Sequence, residues 1–144
     1  MNELRRIFSL CLLLLLVSCQ SVQVNDSSHI TEVEVVTALQ KNGVNLVEAE
    51  FPQSVFGSKL RNVKPRAYEL SEKPFFIFEF ETEIEREKGI EEFVENTATM
   101  ELVSASTFEK RNILIFYVHE LDINSDSVPF EKEIRKALDD ISEG

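Results

Sequence analysis

The run Ile113–Val118 constrains the fold more than any other segment, because it places six apolar side chains in succession. Successive side chains of a strand point to opposite faces, so this strand has no face to offer to water. We expect it to be the most central strand of a sheet. Phe75–Phe80 is also apolar on both faces over Phe75–Phe78 and then alternates with glutamate. This pattern predicts an interior strand with one face emerging into water.

Two hairpins are expected to supply most of the sheet. Ala67–Leu70 precedes Phe75–Phe80 across the turn Ser71-Glu72-Lys73-Pro74, whose composition is typical of a hairpin connection. Thr99–Ser106 and Asn112–His119 form the second expected pair of strands.

The amino-terminal part of the domain is expected to contribute a helix and a strand. Thr31, with Glu34 three residues later, forms a capping box that predicts a helix from Thr31 to about Asn42. Val44–Phe51 is rich in residues that favour strands. Pro52–Val63 is ambiguous, since its apolar residues fit one buried helical turn interrupted by Gly57.

Two further helices follow from apolar spacing. Glu83 to about Thr97 has helical periodicity, and Gly89 within it marks either a close contact with the sheet or a late helix start. In the last helix, apolar residues recur at i, i+4, i+8 and i+11, namely Phe130, Ile134, Leu138 and Ile141. Pro129 suits the first turn of that helix.

Together these elements predict the α+β class: a mainly antiparallel sheet of four to five strands with about three helices, largely on one face. The link from Phe80 to Thr99 is long enough for a helical crossover, so one parallel pairing is possible.

The first nineteen residues have the layout of a secretory leader. Arg5 and Arg6 precede the apolar run Ile7–Val17. This run is too short to span a bilayer, which takes roughly 20 helical residues. It ends in Leu16-Val17-Ser18-Cys19, which resembles the lipobox of bacterial lipoproteins. The resemblance implies cleavage between Ser18 and Cys19, thioether lipidation of Cys19 and acylation of the new amino terminus with a fatty acid such as palmitate.

The expected organisation is therefore a signal peptide at 1–18, a lipidated flexible tether at 19–29 and a single α+β domain at 30–144. Cys11 lies inside the leader, so the processed chain has only the lipidated Cys19 and forms no internal disulfide.

The formal charge of −11 argues against nucleic acid as a partner, because the phosphates of nucleic acid require a basic surface. The domain also resembles small lipoproteins of spore-forming Gram-positive bacteria that have no assigned function.

A calcium loop is one interpretation of the segment before the last helix. Asp122, Asn124, Asp126 and Glu133 occupy positions 1, 3, 5 and 12, where oxygen ligands of such a loop converge on one cation. The sharp turn at position 6 requires glycine, however, and the chain has Ser127 there. We favour the alternative, a polar turn whose Asp126 or Ser127 caps the helix, and expect no metal.

Catalytic motifs are sparse. Ser104 or Ser106 with His119 and Asp122 assembles a serine–histidine–aspartate set on paper, but no nucleophile elbow accompanies it. Two histidines and no free cysteine argue against a zinc site, and there is no phosphate-binding glycine loop. We expect no catalytic residues and no cofactor.

The acidic run from Glu79 to Glu95 fits either a solvated surface or a binding surface for a basic protein or peptide. Arg86, near the apolar face of its helix, is expected to lay its stem on the core and to pair with a nearby glutamate.

The expected function is a membrane-anchored extracytoplasmic lipoprotein with a non-catalytic binding or accessory role in the cell envelope. A small envelope enzyme with a dispersed site and a calcium-binding module are the alternatives. A solute receptor for a transporter is disfavoured, since such receptors usually close two domains over their ligand.

Overall fold

The computed structural model describes residues 29–119 and 127–141. The sequence of elements confirms the predicted α+β class. The elements are α1 (Glu32–Lys41), β1 (Val47–Glu48), a 3-10 turn (Val55–Gly57), β2 (Arg66–Leu70), β3 (Lys73–Glu79), α2 (Glu83–Thr97), β4 (Ala105–Lys110), β5 (Ile113–Val118) and α3 (Glu131–Asp140). None of the described helices is long and apolar enough to cross a membrane.

The five described strands form one antiparallel sheet in the order β1-β2-β3-β5-β4. The parallel pairing that the crossover allowed is absent from this sheet, because β4 forms the edge and β5 returns beside β3. The expectation that Ile113–Val118 is the most central strand was wrong by one position. β3 is the middle strand, and β5 is its neighbour.

Alternation along β3 divides the core into two layers. Phe75 and Ile77 face α1 and α3, whose Leu39 and Ile134 are fully buried in the same cluster. Phe76 and Phe78 face the opposite side, where α2 and the 3-10 turn cover the sheet. Two of the three helices therefore lie on one face, and α2 covers the other.

The first hairpin turns more tightly than predicted. Ser71 and Glu72 alone form its loop, both with positive φ (51° and 63°), while Lys73 and Pro74 already belong to β3. Positive φ at both central residues matches the right-handed twist of the flanking strands.

The predicted strand Thr99–Ser106 was misplaced, since β4 covers Ala105–Lys110 instead. A two-residue turn at Arg111-Asn112 sets the register by pairing Lys110 with Ile113. This register buries Phe108 and leaves the preceding apolar segment, which includes Val103, exposed.

The predicted strand Val44–Phe51 was too long, because pairing is restricted to Val47–Glu48 in β1. The ambiguous segment that follows contains the 3-10 turn Val55–Gly57.

The helix boundaries were predicted with mixed success. The capping box of Thr31 and Glu34 is confirmed, and α2 has the predicted bounds with Thr82 as its N-cap. The cap predicted for α3 was wrong for Ser127: Phe130, in the left-handed conformation, occupies the N-cap position and makes no side-chain cap. Pro129 lies before the helix rather than in its first turn. Asp126 lies outside the described residues.

Gly89 marks a close contact between α2 and the sheet, one of the two explanations expected for it. A Cβ atom at this position would lie 2.7 Å from Cζ of Phe80. The helix therefore approaches the Phe80 ring only because the residue has no side chain.

The first buried residue of the described chain is Ile30, whose backbone is held by a single buried side-chain amide. The N–H of Ile30 donates to Oδ1 of Asn112 (2.8 Å), and Nδ2 of Asn112 donates to the carbonyl of Ile30 (2.8 Å). The same Nδ2 donates to the carbonyl of Phe80 (2.9 Å). Asn112 thus ties the start of the described chain to the end of β3 and to the β4–β5 turn.

Candidate functional site

A cleft opens at the sheet edge where β1 and β2 separate. The pairing of these strands ends with a hydrogen bond from the N–H of Ala49 to the carbonyl of Ala67 (3.1 Å). Pro52 lies after β1 and Pro65 immediately before β2, and proline has no N–H with which to continue a ladder. The intervening chain passes over one face of the sheet, where Phe56 and Leu60 join the second core cluster, and it borders a space that we call the edge cleft.

The edge cleft has a volume of about 1000 Å³ and is lined by Glu48–Ser54, Gly57–Lys59, Lys64–Ala67 and Phe76. This volume lies at the upper end of the range of small-molecule sites, roughly 300–1,000 Å³. The cleft can therefore take a ligand of several rings or a few residues.

Aromatic side chains form the apolar part of the edge cleft. Phe51 meets Phe76 edge to face, with ring centroids 5.7 Å apart. Gly57 brings the 3-10 turn against the same ring, since a Cβ atom there would lie 3.1 Å from Cε1 of Phe76. Phe76 is buried in the second core layer, so the apolar side of the cleft is anchored to the sheet.

Charged side chains line the rest of the edge cleft. Arg66 contacts Glu48 with an N–O distance of 3.7 Å. Lys59 and Lys64 are exposed and form no ion pair with another described residue, and Glu50 is the second carboxylate of the lining. The lining therefore carries three cations against two carboxylates, in a chain whose formal charge is −11.

Two members of the serine–histidine–aspartate set are brought together by the β4–β5 pairing. Oγ of Ser106 lies 2.8 Å from Nε2 of His119, whereas Ser104 contributes its carbonyl, which accepts the N–H of His119 (3.0 Å). Asp122 lies outside the described residues.

His119 is only 4% exposed, and this burial lowers its pKa. A neutral imidazole can accept a proton from the Ser106 hydroxyl. Nδ1 of His119 has no hydrogen-bond partner among the described residues, so no described group orients the ring as the third member of a triad does. The edge cleft does not include this pair.

The proposed calcium ligands are not assembled within the described residues. Asp122, Asn124 and Asp126 lie outside them, and Glu133 is exposed on α3. No group of three or more acidic, histidine or cysteine side chains in the described part of the chain is placed to hold a metal ion. Ser18 and Cys19, the predicted cleavage and lipidation residues, also precede the described residues.

The acidic run from Glu79 to Glu95 is partly used inside the fold. Arg86 is buried, with its guanidinium hydrogen-bonded to the Glu109 carboxylate, which confirms the expected pairing with a nearby glutamate. Glu79 accepts the N–H of Glu32 (2.7 Å), and Glu85 pairs with basic side chains that lower its pKa. The run is therefore not a uniform unpaired surface.

Sequence reasoning missed the edge cleft. Pro52 and Pro65 are far apart in the sequence, which hides the fact that both lie just beyond the paired residues of β1 and β2. Knowledge of the β1–β2 register is needed to see that both prolines interrupt the same ladder.

No protein-family model matches the chain, and comparisons with the curated proteins and with the solved structures find no match either.

Proposed function

We propose that the protein is a lipid-anchored extracytoplasmic domain of the cell envelope that binds a ligand and catalyses no reaction. The anchor part of this proposal rests on the sequence Leu16-Val17-Ser18-Cys19 after a charged and apolar leader. Several acyl chains give stable membrane attachment, so lipidated Cys19 needs no second membrane contact.

The position of Ile30 sets the distance that the proposed tether would cover. Ile30 is the first buried residue of the described chain, 1% exposed and bound on both backbone groups by Asn112. Ten residues, 20–29, separate Cys19 from this point, and a fully extended segment of that length spans at most about 35 Å. The domain would work within that distance of the bilayer surface.

The binding part of the proposal is carried by one observation, the edge cleft. Its lining combines an aromatic side with charged side chains, and two of these, Lys59 and Lys64, form no ion pair within the described residues; such a composition can orient a small ligand. A basic protein or peptide contacting the acidic surface is a compatible second partner, since the chain is strongly acidic.

Replacement of the lipidation residue tests the anchor. In the Cys19→Ala variant we expect the protein to stay unprocessed or to leave the membrane fraction, and to lose metabolic labelling with palmitate. Cys11→Ala is the matched control, since the other cysteine lies within the leader and its loss should change neither processing nor labelling. Normal cleavage and full labelling of the Cys19→Ala variant would refute the anchor.

Affinity capture tests the accessory role. Tagged protein extracted from membranes with a nonionic detergent is expected to retain a specific partner that Cys19→Ala does not. A purified protein that captures nothing specific and turns over a substrate would overturn the non-catalytic assignment.

The contact between Ser106 and His119 favours a second candidate, a small hydrolase of the envelope. A fluorophosphonate probe tests it, because such probes label serines that a histidine activates. Labelling that disappears in Ser106→Ala and persists in Ser104→Ala would establish this alternative. An unlabelled protein would exclude it.

A calcium-binding module is the third candidate, with Asp122, Asn124, Asp126 and Glu133 as ligands. Calorimetric titration with calcium decides it. The binding proposal expects no heat of binding at millimolar calcium, whereas heat that Asp122→Asn removes would support the module.

A further inference from the structure

We propose that the edge cleft binds an organic anion, a carboxylate- or phosphate-bearing molecule with a flat apolar body. This inference rests on the proposed binding role and names its ligand class. It does not depend on the lipid anchor, which concerns a different part of the chain.

Charge is the first argument. Arg66 is the one cation of the lining that already has a carboxylate partner, Glu48. Lys59 and Lys64 remain without an ion pair among the described residues, and only Glu50 opposes them in the lining. An anion entering the edge cleft therefore meets two available ammonium groups, whereas a cation meets one available carboxylate and two repelling charges.

The position of these lysines is the second argument. Both lie in the second half of the segment between β1 and β2, one just after the 3-10 turn Val55–Gly57 and one just before Pro65. Both line the same space as Phe76. An ammonium group is a strongly hydrated point charge on a flexible stem, so the two side chains can follow ligands of different lengths.

The aromatic surface is the third argument. Phe51 and Phe76 already meet edge to face, a geometry that aromatic pairs prefer. Phe76 is buried, so Phe51, which is only partly buried, is the ring that a planar ligand body can contact while its anionic group stays among the lysines. A small inorganic anion would leave the apolar side of the cleft in contact with water. An anion with an apolar body would cover it, so we expect an organic anion to bind more tightly than an inorganic one.

Titration of the full-length protein in a nonionic detergent tests the inference with three small probes. Phenyl phosphate and N-acetylphenylalanine carry an anionic group beside a ring, and N-acetylphenylalaninamide is the neutral counterpart of the second. Binding is followed by saturation-transfer NMR and calorimetry. We expect both anions to bind and the neutral amide to bind about tenfold more weakly, a difference of ~1.4 kcal/mol.

Paired lysine variants locate the site. Lys59→Gln with Lys64→Gln is expected to weaken both anionic probes about fivefold to tenfold, as expected for two exposed charge contacts. Lys41→Gln with Lys132→Gln is the matched control, since it removes the same charge from α1 and α3 and should leave affinity unchanged. All four lysines are exposed, so neither pair should disturb folding.

A soluble short-chain phosphatidylglycerol distinguishes two sources of the anion. Tighter binding than phenyl phosphate, lost in the cleft variant, would assign a lipid headgroup, and weaker binding would assign a free metabolite. Both results support an anion site. Equal affinity for the neutral amide, an equal loss in the control pair, or no binding of either anion at millimolar concentration would overturn the inference. The Cys19→Ala experiment tests the anchor independently of the anion probes. Failure of the anion site and failure of the lipid anchor are therefore distinguishable.

Discussion

Removal of the Asn112 side-chain amide is expected to be among the most destabilising single changes in the domain. Asn112 is 2% exposed, and its side chain makes three hydrogen bonds to backbone groups of Ile30 and Phe80. Asn112→Ala leaves the N–H of Ile30 and two carbonyls without these partners. Because each buried polar group left unpaired costs about 1–3 kcal/mol, and entering water restores part of the loss, we expect a loss of about 3–5 kcal/mol.

That loss is a large fraction of the stability of a typical domain, about 5–15 kcal/mol. Urea unfolding followed by circular dichroism measures it. With a slope of about 2 kcal/mol per molar urea, the midpoint should fall by about 2 M. The slope itself should stay constant, because the surface exposed on unfolding is nearly unchanged.

Asn112→Asp separates hydrogen bonding from packing. It keeps the shape of the side chain but replaces the amide that donates to Ile30 and Phe80 by a carboxylate oxygen. The variant should be at least as unstable as Asn112→Ala at neutral pH, since the carbonyls then face a buried charge. Asn45→Ala, at an exposed asparagine, is the control and should change stability by less than about 0.5 kcal/mol.

Amide hydrogen exchange gives an independent measurement. The amide of Ile30 should lose its protection in both Asn112 variants. If both variants unfold within about 0.5 kcal/mol of the unaltered protein, the amide contributes no net stability and the reasoning fails.

Three further changes test other parts of the fold. Gly89→Ala should destabilise the domain by about 1–3 kcal/mol in urea unfolding, because the added methyl group would overlap the buried ring of Phe80; stabilisation, as expected at an open helical site, would contradict the close contact. Burial lowers the pKa of His119, so the unfolded chain takes up a proton there before the native state does. The free energy of unfolding should therefore fall as the pH drops below about 6.5, and His119→Gln should flatten this part of the profile, an effect whose absence would argue against a buried neutral imidazole. Thr31→Ala removes the N-cap that receives the N–H of Glu34 and should cost about 1 kcal/mol, with thermal unfolding as the measurement; an unchanged midpoint would mean that the capping box contributes nothing.

Local signals in the sequence were sufficient for the elements whose ends are marked by side chains. The Thr31 cap fixed the start of α1, and helical periodicity gave the bounds of α2. The apolar runs identified β3 and β5 as interior strands. In each case the decisive residues are close together in the chain.

The errors arose where distant residues decide the structure. Met100 and Val103 are apolar and favoured a strand, yet the Arg111-Asn112 turn shifts the hairpin register toward the carboxyl end and leaves both exposed. The edge cleft depends likewise on the register of β1 with β2. Ser104 and Ser106 are two residues apart and would share one face of a strand, so only the correct start of β4, at Ala105, selects Ser106.

The Asn112 amide also dictates when the fold can be completed. Asn112, the hydrogen-bond partner of Ile30, lies 82 residues further along the chain. Asn42, at the end of α1, donates a hydrogen bond to Asp140, which lies 98 residues further along. During synthesis, Ile30 and α1 emerge long before either partner. The first helix can pack on β3 when about half of the chain has emerged, but its contacts with α3 form only when nearly the whole chain is present, and a chain that ends before α3 lacks one of the two helices on that face.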